Sequence, residues 1–172
     1  GLITGEIKEF KTQDVSNIIQ QGGTILKSAR CNEFKEPAKV RECVEICREN
    51  GIEGIVTIGG DGTFRGATDL SLRGIPSIGV TGTIDNDISS TEYTIGYDTA
   101  INTAVEMVDK LRDTCQSHDR CSVVEVMGRR AGYLALQTGI ACGAVAILVP
   151  EVEFDLQKDV IEKINAIKAT GK

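Results

Sequence analysis

The chain has 172 residues, of which 41% are hydrophobic and 26% are charged, so it can bury a core and is not typical of a disordered protein. Its 19 Lys and Arg residues against 25 Asp and Glu residues give a net charge of -6, with both signs mixed along the chain, which argues against a nucleic-acid partner. No apolar run reaches the roughly 18 residues of a membrane span, and no signal peptide is evident. We therefore expect a cytoplasmic protein without a membrane partner.

The elements predicted from the first 75 residues are a short helix, a short strand, a longer helix, a buried strand and another helix. In chain order they cover Asp14 to Gln21, Thr24 to Lys27, Pro37 to the residues before Gly51, Gly54 to Ile58, and about Phe64 to Leu72. The longer helix has apolar residues at helical spacing, which predicts one buried face formed by Val40, Cys43, Val44 and Cys47.

The second half continues the alternation of strands and helices. Strands are predicted at Ser77 to Val80, Cys121 to Met127 and Val145 to Val149, and helices after Asp98 as a capping residue, from Gly132 to Ala141, and around Val160 to Ile167. This order predicts an α/β fold with parallel sheet and helices on both faces. A domain boundary is predicted near residue 96, after a polar, glycine-containing segment, and the abrupt start GLITGE suggests a portion of a longer protein.

The six cysteines form no C-x-x-C pair, and the chain has one histidine, His118. This pattern is not typical of a zinc site. Cys43 and Cys47 are expected to be reduced thiols on the buried face of their helix. A catalyst of the Ser-His-Asp or Cys-His type would have to use His118, whose segment CQSH is more typical of a helix cap or turn.

Three polar loops follow predicted strands: GGDGT, TGTIDND and MGRRAG. Ligands of parallel sheets collect beyond the carboxyl ends of the strands, so we expect the three loops to share one cleft. In GGDGT, Asp61 could simply cap the following helix, or it could hold a Mg²⁺ ion shared with a polyphosphate that the glycines allow to approach. The loop is neither a Walker loop nor a dinucleotide fingerprint, because Arg65 replaces the last glycine of the latter.

The acidic residues of TIDND could form Asx turns, or one of them could accept a proton from a hydroxyl that attacks a phosphoryl group. Arg129 and Arg130 of MGRRAG stand at a predicted helix start, where the helix dipole disfavours cations. A bound phosphate would remove that objection, because arginine binds phosphate oxygens bidentately.

Several segments, taken in order, resemble the ATP-dependent 6-phosphofructokinases of bacterial type. They are GGTILKSARCNEF, IGGDGTFRGA, GTIDNDI, GYDTAINTAVEMVDKLRDT, SHDR, VVEVMGRRAGYLAL and VPEVEF. GGDGT alone also occurs in NAD kinases and diacylglycerol kinases, whereas TIDND with MGR at this separation is specific. The resemblance implies two Rossmann-like three-layer domains with parallel sheets, each only partly present, in which residues 1–96 belong to the ATP- and Mg-binding domain and residues 97–172 to the fructose 6-phosphate domain.

The resemblance also implies roles for individual residues. Those implied to bind ATP are Arg30, Cys31, Gly60, Asp61, Gly62, Thr63 and Gly66, with Asp61 as the Mg²⁺ ligand. Those implied to bind fructose 6-phosphate are Thr83, Ile84, Asp85, Arg120, Met127, Gly128 and Arg129. Among them Asp85 would accept the proton of the 1-hydroxyl, and Arg30, Thr83 and Arg129 would also act in catalysis. Arg120 would reach a neighbouring subunit, which implies a homo-oligomer, by resemblance a tetramer, and Asp87 would support the metal or phosphoryl group.

Other positions bear on the phosphoryl donor and on regulation. Gly62 and Gly82 occur where pyrophosphate-dependent relatives carry Asp and Lys, so ATP is the expected donor. Arg112 and Gly143 match an effector site, but Val145 and Thr12 replace a metal-binding glutamate and an arginine there, so we expect altered effector regulation. Thr81 replaces a proline that usually precedes GTIDND.

The implied reaction is the glycolytic transfer of the γ-phosphoryl group of Mg·ATP to fructose 6-phosphate, giving fructose 1,6-bisphosphate and ADP. The family's amino-terminal phosphate loop and its carboxyl-terminal sugar-phosphate residues are not in this sequence, so we expect the chain alone to be inactive. The alternatives are a NAD or lipid kinase that shares GGDGT, and a non-catalytic subunit that binds nucleotide or sugar phosphate.

Overall fold

The structure, a computed structural model, describes residues 1–171. Its helices are α1 (Pro37–Glu49), α2 (Asp61–Ser71), α3 (Tyr97–Ser117), α4 (Tyr133–Ala141) and α5 (Glu162–Ala169). Its strands are β1 (Ile55–Gly59), β2 (Ser77–Thr83) and β3 (Ile95–Gly96). Short 3₁₀ turns cover Leu2–Thr4, Thr12–Val15 and Glu33–Lys35, and a π-helical turn, Leu156–Ile161, precedes α5.

The three strands form one sheet in the order β1-β2-β3. β2 and β3 are parallel, with Gly82 opposite Ile95 and Thr83 opposite Gly96. α1 precedes β1, α2 lies between β1 and β2, and β3 follows β2 without a helix between them. The prediction of an α/β fold with parallel strands is confirmed.

The described chain forms two compact units. One contains Gly1–Thr57 and Gly62–Val80, and the other contains Ile58–Asp61 and the chain from Thr81 onward. These units follow local packing within this chain, so the boundary predicted near residue 96 stays a prediction about domains.

The core of the first unit is built on the apolar face of α1. Val40, Cys43, Val44 and Cys47 are buried, as the spacing predicts, and Leu70 and Ile75 complete the cluster. Burial raises the pKa values of the Cys43 and Cys47 thiols, because a thiolate loses solvation there. α1 begins at Pro37 and ends at Glu49. The next residue, Asn50, caps the helix, and its side-chain Nδ2 donates to the carbonyl of Ile46 at 2.8 Å.

The core of the second unit lies where α3 meets α4. Tyr97, the first residue of α3, is 3% exposed, and its hydroxyl donates to the carbonyl of Tyr133 at 3.4 Å. Burial raises the pKa of the Tyr97 hydroxyl. Leu134 of α4 is also buried. Among residues 1–171, no helix combines the length and the apolar character needed to cross a membrane.

Two predicted elements near the amino terminus are wrong. Where a helix was predicted at Asp14 to Gln21, the structure has only the 3₁₀ turn Thr12–Val15, and Asn17 has a left-handed backbone with φ 58° that interrupts a helix. The segment Thr24 to Lys27, predicted as a strand, is a turn in which the Lys27 N–H donates to the Thr24 carbonyl at 3.3 Å.

Two strands predicted later in the chain are also wrong. Residues 121–127 and 145–149 are outside the strands found in residues 1–171, although their apolar content is typical of buried strands. A strand requires a hydrogen-bonded neighbour, and sequence composition does not provide one. Val123 is 96% exposed, which shows that this segment lacks the two covered faces expected of a central parallel strand.

The predicted cap of α3 is wrong as well. The residue at the N-cap position is Gly96, with φ 103°. Glycine has no side chain that could accept a hydrogen bond from the first turn of the helix. Asp98 lies in the first turn of α3, where its carboxylate interacts favourably with the helix dipole. Glycine precedes the helix because few other residues adopt this backbone conformation.

Candidate active site

The carboxyl ends of β1 and β2 lie against each other. A Cβ atom built on Gly60, the residue after β1, would lie 3.3 Å from the Cβ of Thr83, the last residue of β2. Glycine at this position therefore allows the close approach of the two chain segments. This contact brings together two of the three loops that were predicted to share a cleft.

The GGDGT motif begins α2 earlier than predicted. The helix starts at Asp61 rather than near Phe64, so Asp61, Gly62 and Thr63 form its first turn, and all three are exposed. The first turn of a helix presents backbone N–H groups without helical partners, which suits an anion, and Asp61 adds a carboxylate at the same end. Gly66 is held differently, because its Cβ position lies 3.2 Å from the Phe34 ring.

The turn after β2 carries Asp85. Its backbone N–H donates to the hydroxyl of Thr83 at 3.2 Å, and Thr83, Ile84 and Asp85 are all half-buried. The side chain of Ile84 lies 3.4 Å from the Cβ position of Gly96 in β3, so the turn also packs on the third strand. Asp87, two residues further, is exposed.

Arg30 and Cys31 lie in an irregular, exposed segment of the first unit, shortly before the 3₁₀ turn Glu33–Lys35. Both side chains are accessible to a ligand. Their predicted contacts with ATP stay a prediction.

The MGRRAG turn has an unusual backbone. Gly128 is buried with φ 138°, and Arg129 has φ 55°, so two successive residues have positive φ. The Ala131 N–H closes the turn by donating to the Gly128 carbonyl at 2.8 Å. This conformation leaves the Arg129 side chain exposed, and Met127 is 71% exposed. Backbone strain of this kind is concentrated at functional sites.

Glu151 supports the same turn from a distant part of the sequence. Its Oε1 accepts a hydrogen bond from the Gly132 N–H at 2.7 Å, directly before α4. A Cβ on Gly132 would lie 2.5 Å from the Cβ of Val149 and 2.6 Å from Oε2 of Glu151, so a side chain there would collide with both residues. Sequence reasoning did not assign Glu151, although it belongs to the VPEVEF segment that carries the family resemblance.

The two residues proposed for an effector site are brought together. The Arg112 guanidinium donates to the carbonyl of Cys142, the residue before Gly143, and lies 3.6 Å from the Asp109 carboxylate. Arg112, Gly143, Val145 and Arg120 all line a groove of about 600 Å³ between α3, α4 and α5. Its remaining lining is mainly apolar, and the buried Thr138 hydroxyl at its wall has no partner among the described residues.

The two glycines predicted to leave room for ATP differ from each other. Nothing lies within 4 Å of a Cβ built on Gly62, so the space there is open. A Cβ on Gly82 would instead lie 3.0 Å from Cγ2 of Ile58. The role of Gly62 in leaving room for ATP stays a prediction, whereas a side chain at Gly82 would press on Ile58 where β1 packs against β2.

The structure thus joins Gly60 with Thr83 and places Asp85 on the adjacent turn, and it joins Arg112 with Cys142, the neighbour of Gly143. The MGRRAG turn follows a segment outside the strands, so its predicted place in the common cleft stays a prediction. Within residues 1–171, no group of three or more His, Cys, Asp or Glu side chains is arranged to hold a metal ion. A Mg²⁺ ion commonly binds proteins through one or two carboxylates and takes its other oxygens from water and phosphate, so Asp61 with a nucleotide fits this ion.

Comparison with known proteins identifies relatives along the whole sequence. The family model described as Phosphofructokinase matches residues 1–172. The ATP-dependent 6-phosphofructokinase of Lysinibacillus sphaericus is 53% identical and that of Brevibacillus brevis is 54% identical, each over 172 residues, or 100% of this chain. The match covers 54% of each relative, so the chain spans about half the length of the curated relatives it matches.

Solved structures give the same result for the fold. Phosphofructokinase from Saccharomyces cerevisiae is 32% identical with a TM-score of 0.83, over 98% of this chain and 26% of that chain. Pichia pastoris phosphofructokinase in the T-state is 29% identical with a TM-score of 0.84, over 99% of this chain and 22% of that chain.

Proposed function

This chain belongs to the phosphofructokinase family, and on that premise we propose that the full-length protein transfers the γ-phosphoryl group of ATP to the 1-hydroxyl of fructose 6-phosphate. The products are fructose 1,6-bisphosphate and ADP, and the reaction belongs to glycolysis. Because the chain spans about half the length of its relatives, this activity is proposed for the full-length protein and not for these 172 residues alone.

One observation carries the proposal: the contact of Gly60 with Thr83, in which the Cβ position of Gly60 lies 3.3 Å from the Cβ of Thr83. It supports a single site in which a glycine-lined helix start and a carboxylate-bearing turn share one edge of the sheet. The first can receive the phosphates of the donor, and the second can receive the hydroxyl of the acceptor. Both requirements of phosphoryl transfer are then met by adjacent loops.

The proposed division of roles follows from this arrangement. Gly60, Gly62, Thr63 and Gly66 line the approach of ATP, with Arg30 and Cys31 as further contacts, and Asp85 accepts the proton of the attacking hydroxyl. Thr83 fixes the Asp85 backbone by the hydrogen bond from its N–H, and Ile84 lines the sugar site. Met127, Gly128 and Arg129 bind fructose 6-phosphate, and Arg30 and Arg129 stabilise the negative charge of the transferred group.

Asp61 would hold a Mg²⁺ ion, which when bound neutralises charge on the phosphates. A carboxylate and a phosphate repel each other, so an acid can lie beside an anionic ligand without repulsion only when a cation lies between them. The exposed Asp61 carboxylate at the start of α2 suits this role. Arg120 would reach the substrate of a neighbouring subunit in a homo-oligomer, for which a tetramer is proposed. We also place the protein in the cytoplasm.

An effector site around Arg112 and Gly143 is proposed to be altered. The hydrogen bond from Arg112 to the Cys142 carbonyl occupies part of its guanidinium, and Val145 offers no carboxylate for a metal. Titration of ADP into the full-length protein tests this. Micromolar binding at a second site would contradict it.

The main experiment is a coupled assay of the full-length protein with fructose 6-phosphate, in which ATP is compared with pyrophosphate. We expect turnover with ATP and little with pyrophosphate. Preference for pyrophosphate would overturn the choice of donor, and absence of turnover with either donor would overturn the proposed function. Phosphorylation of NAD or diacylglycerol would instead support the alternative kinases that share GGDGT.

A further inference from the structure

Asn86 has a backbone conformation that few residues adopt. It follows Asp85 directly, and its φ is 53°, in the left-handed region. Asparagine tolerates this conformation better than most residues other than glycine. Glycine would adopt this backbone conformation at least as easily. The presence of asparagine at this position therefore has to be explained by its side chain.

The Asn86 side chain closes the segment that joins β2 to β3. Its Oδ1 accepts a hydrogen bond from the Thr94 N–H at 2.9 Å, and its Nδ2 donates to the Glu92 carbonyl at 3.2 Å. One amide therefore uses both its donor and its acceptor on the far end of the same loop. The side chain ties the end of β2 to the residues that begin β3.

Burial makes the first of these bonds important. Thr94 is 3% exposed, so its backbone N–H has little access to water. A buried N–H without a partner costs free energy comparable to a lost hydrogen bond, and Asn86 supplies that partner. Asn86 therefore connects the left-handed turn to a buried anchor in the second unit.

Asp85 lies between two fixed points. On one side its own N–H is bonded to the hydroxyl of Thr83, which belongs to β2 and lies opposite Gly96 of β3. On the other side the next residue is Asn86, bonded to Thr94 and Glu92. The backbone that carries the Asp85 carboxylate is thus held at both neighbouring positions.

We propose that Asn86 is a positioning residue for the Asp85 carboxylate. This inference rests on the proposed function, in which Asp85 accepts the proton of the acceptor hydroxyl. Asn86 acts through the backbone that it shares with Asp85, and its amide is occupied within the loop. A misplacement of about 1 Å in a reacting group can lower turnover by about 100-fold, which sets the scale of the expected effect.

Two substitutions separate the contributions of Asn86. Asn86→Gly keeps the left-handed backbone and removes both side-chain hydrogen bonds. Asn86→Asp keeps an acceptor for the Thr94 N–H, loses the donor to Glu92, and adds a negative charge beside Asp85. Thr91→Ala is the matched control, because it removes the hydrogen bond from the Thr91 hydroxyl to the Tyr93 carbonyl, at 3.0 Å, in the same loop.

The measurements are kcat, KM for both substrates, and Tm, all on the full-length protein. For Asn86→Gly we expect kcat to fall about 10- to 100-fold with KM for ATP changed less than about 3-fold. Asn86→Asp loses the donor to the Glu92 carbonyl but keeps an acceptor for the Thr94 N–H, so we expect kcat to fall by less than in Asn86→Gly. Thr91→Ala should leave kcat and KM unchanged and move Tm by less than about 4 °C, whereas Asn86→Gly should also lower Tm, because it leaves the buried Thr94 N–H without its partner.

The outcomes distinguish this inference from the proposed function. If the unmodified protein phosphorylates fructose 6-phosphate but Asn86→Gly keeps its kcat, or if Thr91→Ala loses as much, the positioning role is wrong and the proposed function stands. An unchanged kcat in Asn86→Asp, which has lost the donor to the Glu92 carbonyl, would also contradict it, and this outcome applies even if Asn86→Gly fails to fold. If the unmodified protein does not phosphorylate fructose 6-phosphate, both proposals are overturned.

Discussion

The turn after β2 and the MGRRAG turn both present charged side chains, yet they are held in different ways. The first depends on side-chain hydrogen bonds, from the Asp85 N–H to Thr83 and between Asn86 and the loop before β3. The second depends on backbone conformation, with φ of 138° at Gly128 and 55° at Arg129, and on one carboxylate, Glu151. We therefore expect substitutions in the first turn to lower turnover, and substitutions in the second turn to lower both the stability of the protein and its binding of substrate.

The largest expected effect lies in the first turn. In the full-length protein, Asp85→Ser should lower kcat by about 10² to 10⁴, the usual contribution of a general base, and leave ATP affinity nearly unchanged. Steady-state kinetics with a direct ATP-binding measurement checks both statements. An unchanged kcat would show that Asp85 does not have its proposed role. The turn after β2 would then no longer differ from the MGRRAG turn by its part in the chemical step.

The next effect concerns binding by the second turn. Arg129→Lys keeps the positive charge and loses bidentate bonding, so KM for fructose 6-phosphate should rise about 10-fold or more, since a charge-assisted hydrogen bond contributes about 1.5–3 kcal/mol. Initial-rate measurements at varied fructose 6-phosphate provide the test. Arg130→Lys is the matched control at the neighbouring exposed position, and an equal effect there would argue against a specific role for Arg129.

A smaller effect on stability tests the backbone of the second turn. Gly128→Ala should lower the free energy of unfolding by about 1–3 kcal/mol, because φ of 138° strains any L side chain and the new Cβ would lie 2.4 Å from the Ala131 carbonyl oxygen. Urea unfolding measures this change. Gly22→Ala, at a glycine with open space, should change stability by less than about 0.5 kcal/mol. Equal stability of the two variants would show that the turn can relax.

The smallest effect is expected at Glu151. Glu151→Gln keeps an oxygen acceptor for the Gly132 N–H but loses the charge that interacts with the start of α4, so the free energy of unfolding should fall by about 0.3–1 kcal/mol. Thermal unfolding of this variant is compared with that of Glu153→Gln, two residues further in the same exposed segment. A loss as large in the control would show that charge in this segment, and not the contact with Gly132, is what matters.

Local signals were sufficient for much of the fold. The helical spacing of Val40, Cys43 and Cys47 predicted α1 and its buried face, and the glycine-bounded apolar runs predicted β1 and β2. The runs at 121–127 and 145–149 have similar composition, but the structure has no strand there, because pairing depends on neighbours that are distant in sequence.

The same limit applies to the site. Motifs gave the positions of Asp61, Thr83 and Asp85, but not the residues that hold them. Asn86 bonds to a residue eight positions away and Glu151 to one nineteen positions away, so neither contact is visible without the folded chain. The VPEVEF segment was the available signal for Glu151, and the αL tolerance of asparagine was the signal for Asn86.

The buried face of α1 has a practical consequence. Cys43 and Cys47 are both 0% exposed, whereas Cys31 and Cys121 are exposed. An alkylating reagent reacts with the thiolate, so the two helical cysteines can be modified only when their helix detaches from Leu70 and Ile75 and water enters. Mass spectrometry after timed alkylation would measure the rates at which the exposed and the buried cysteines are modified. The ratio of these rates reports how often this part of the protein opens.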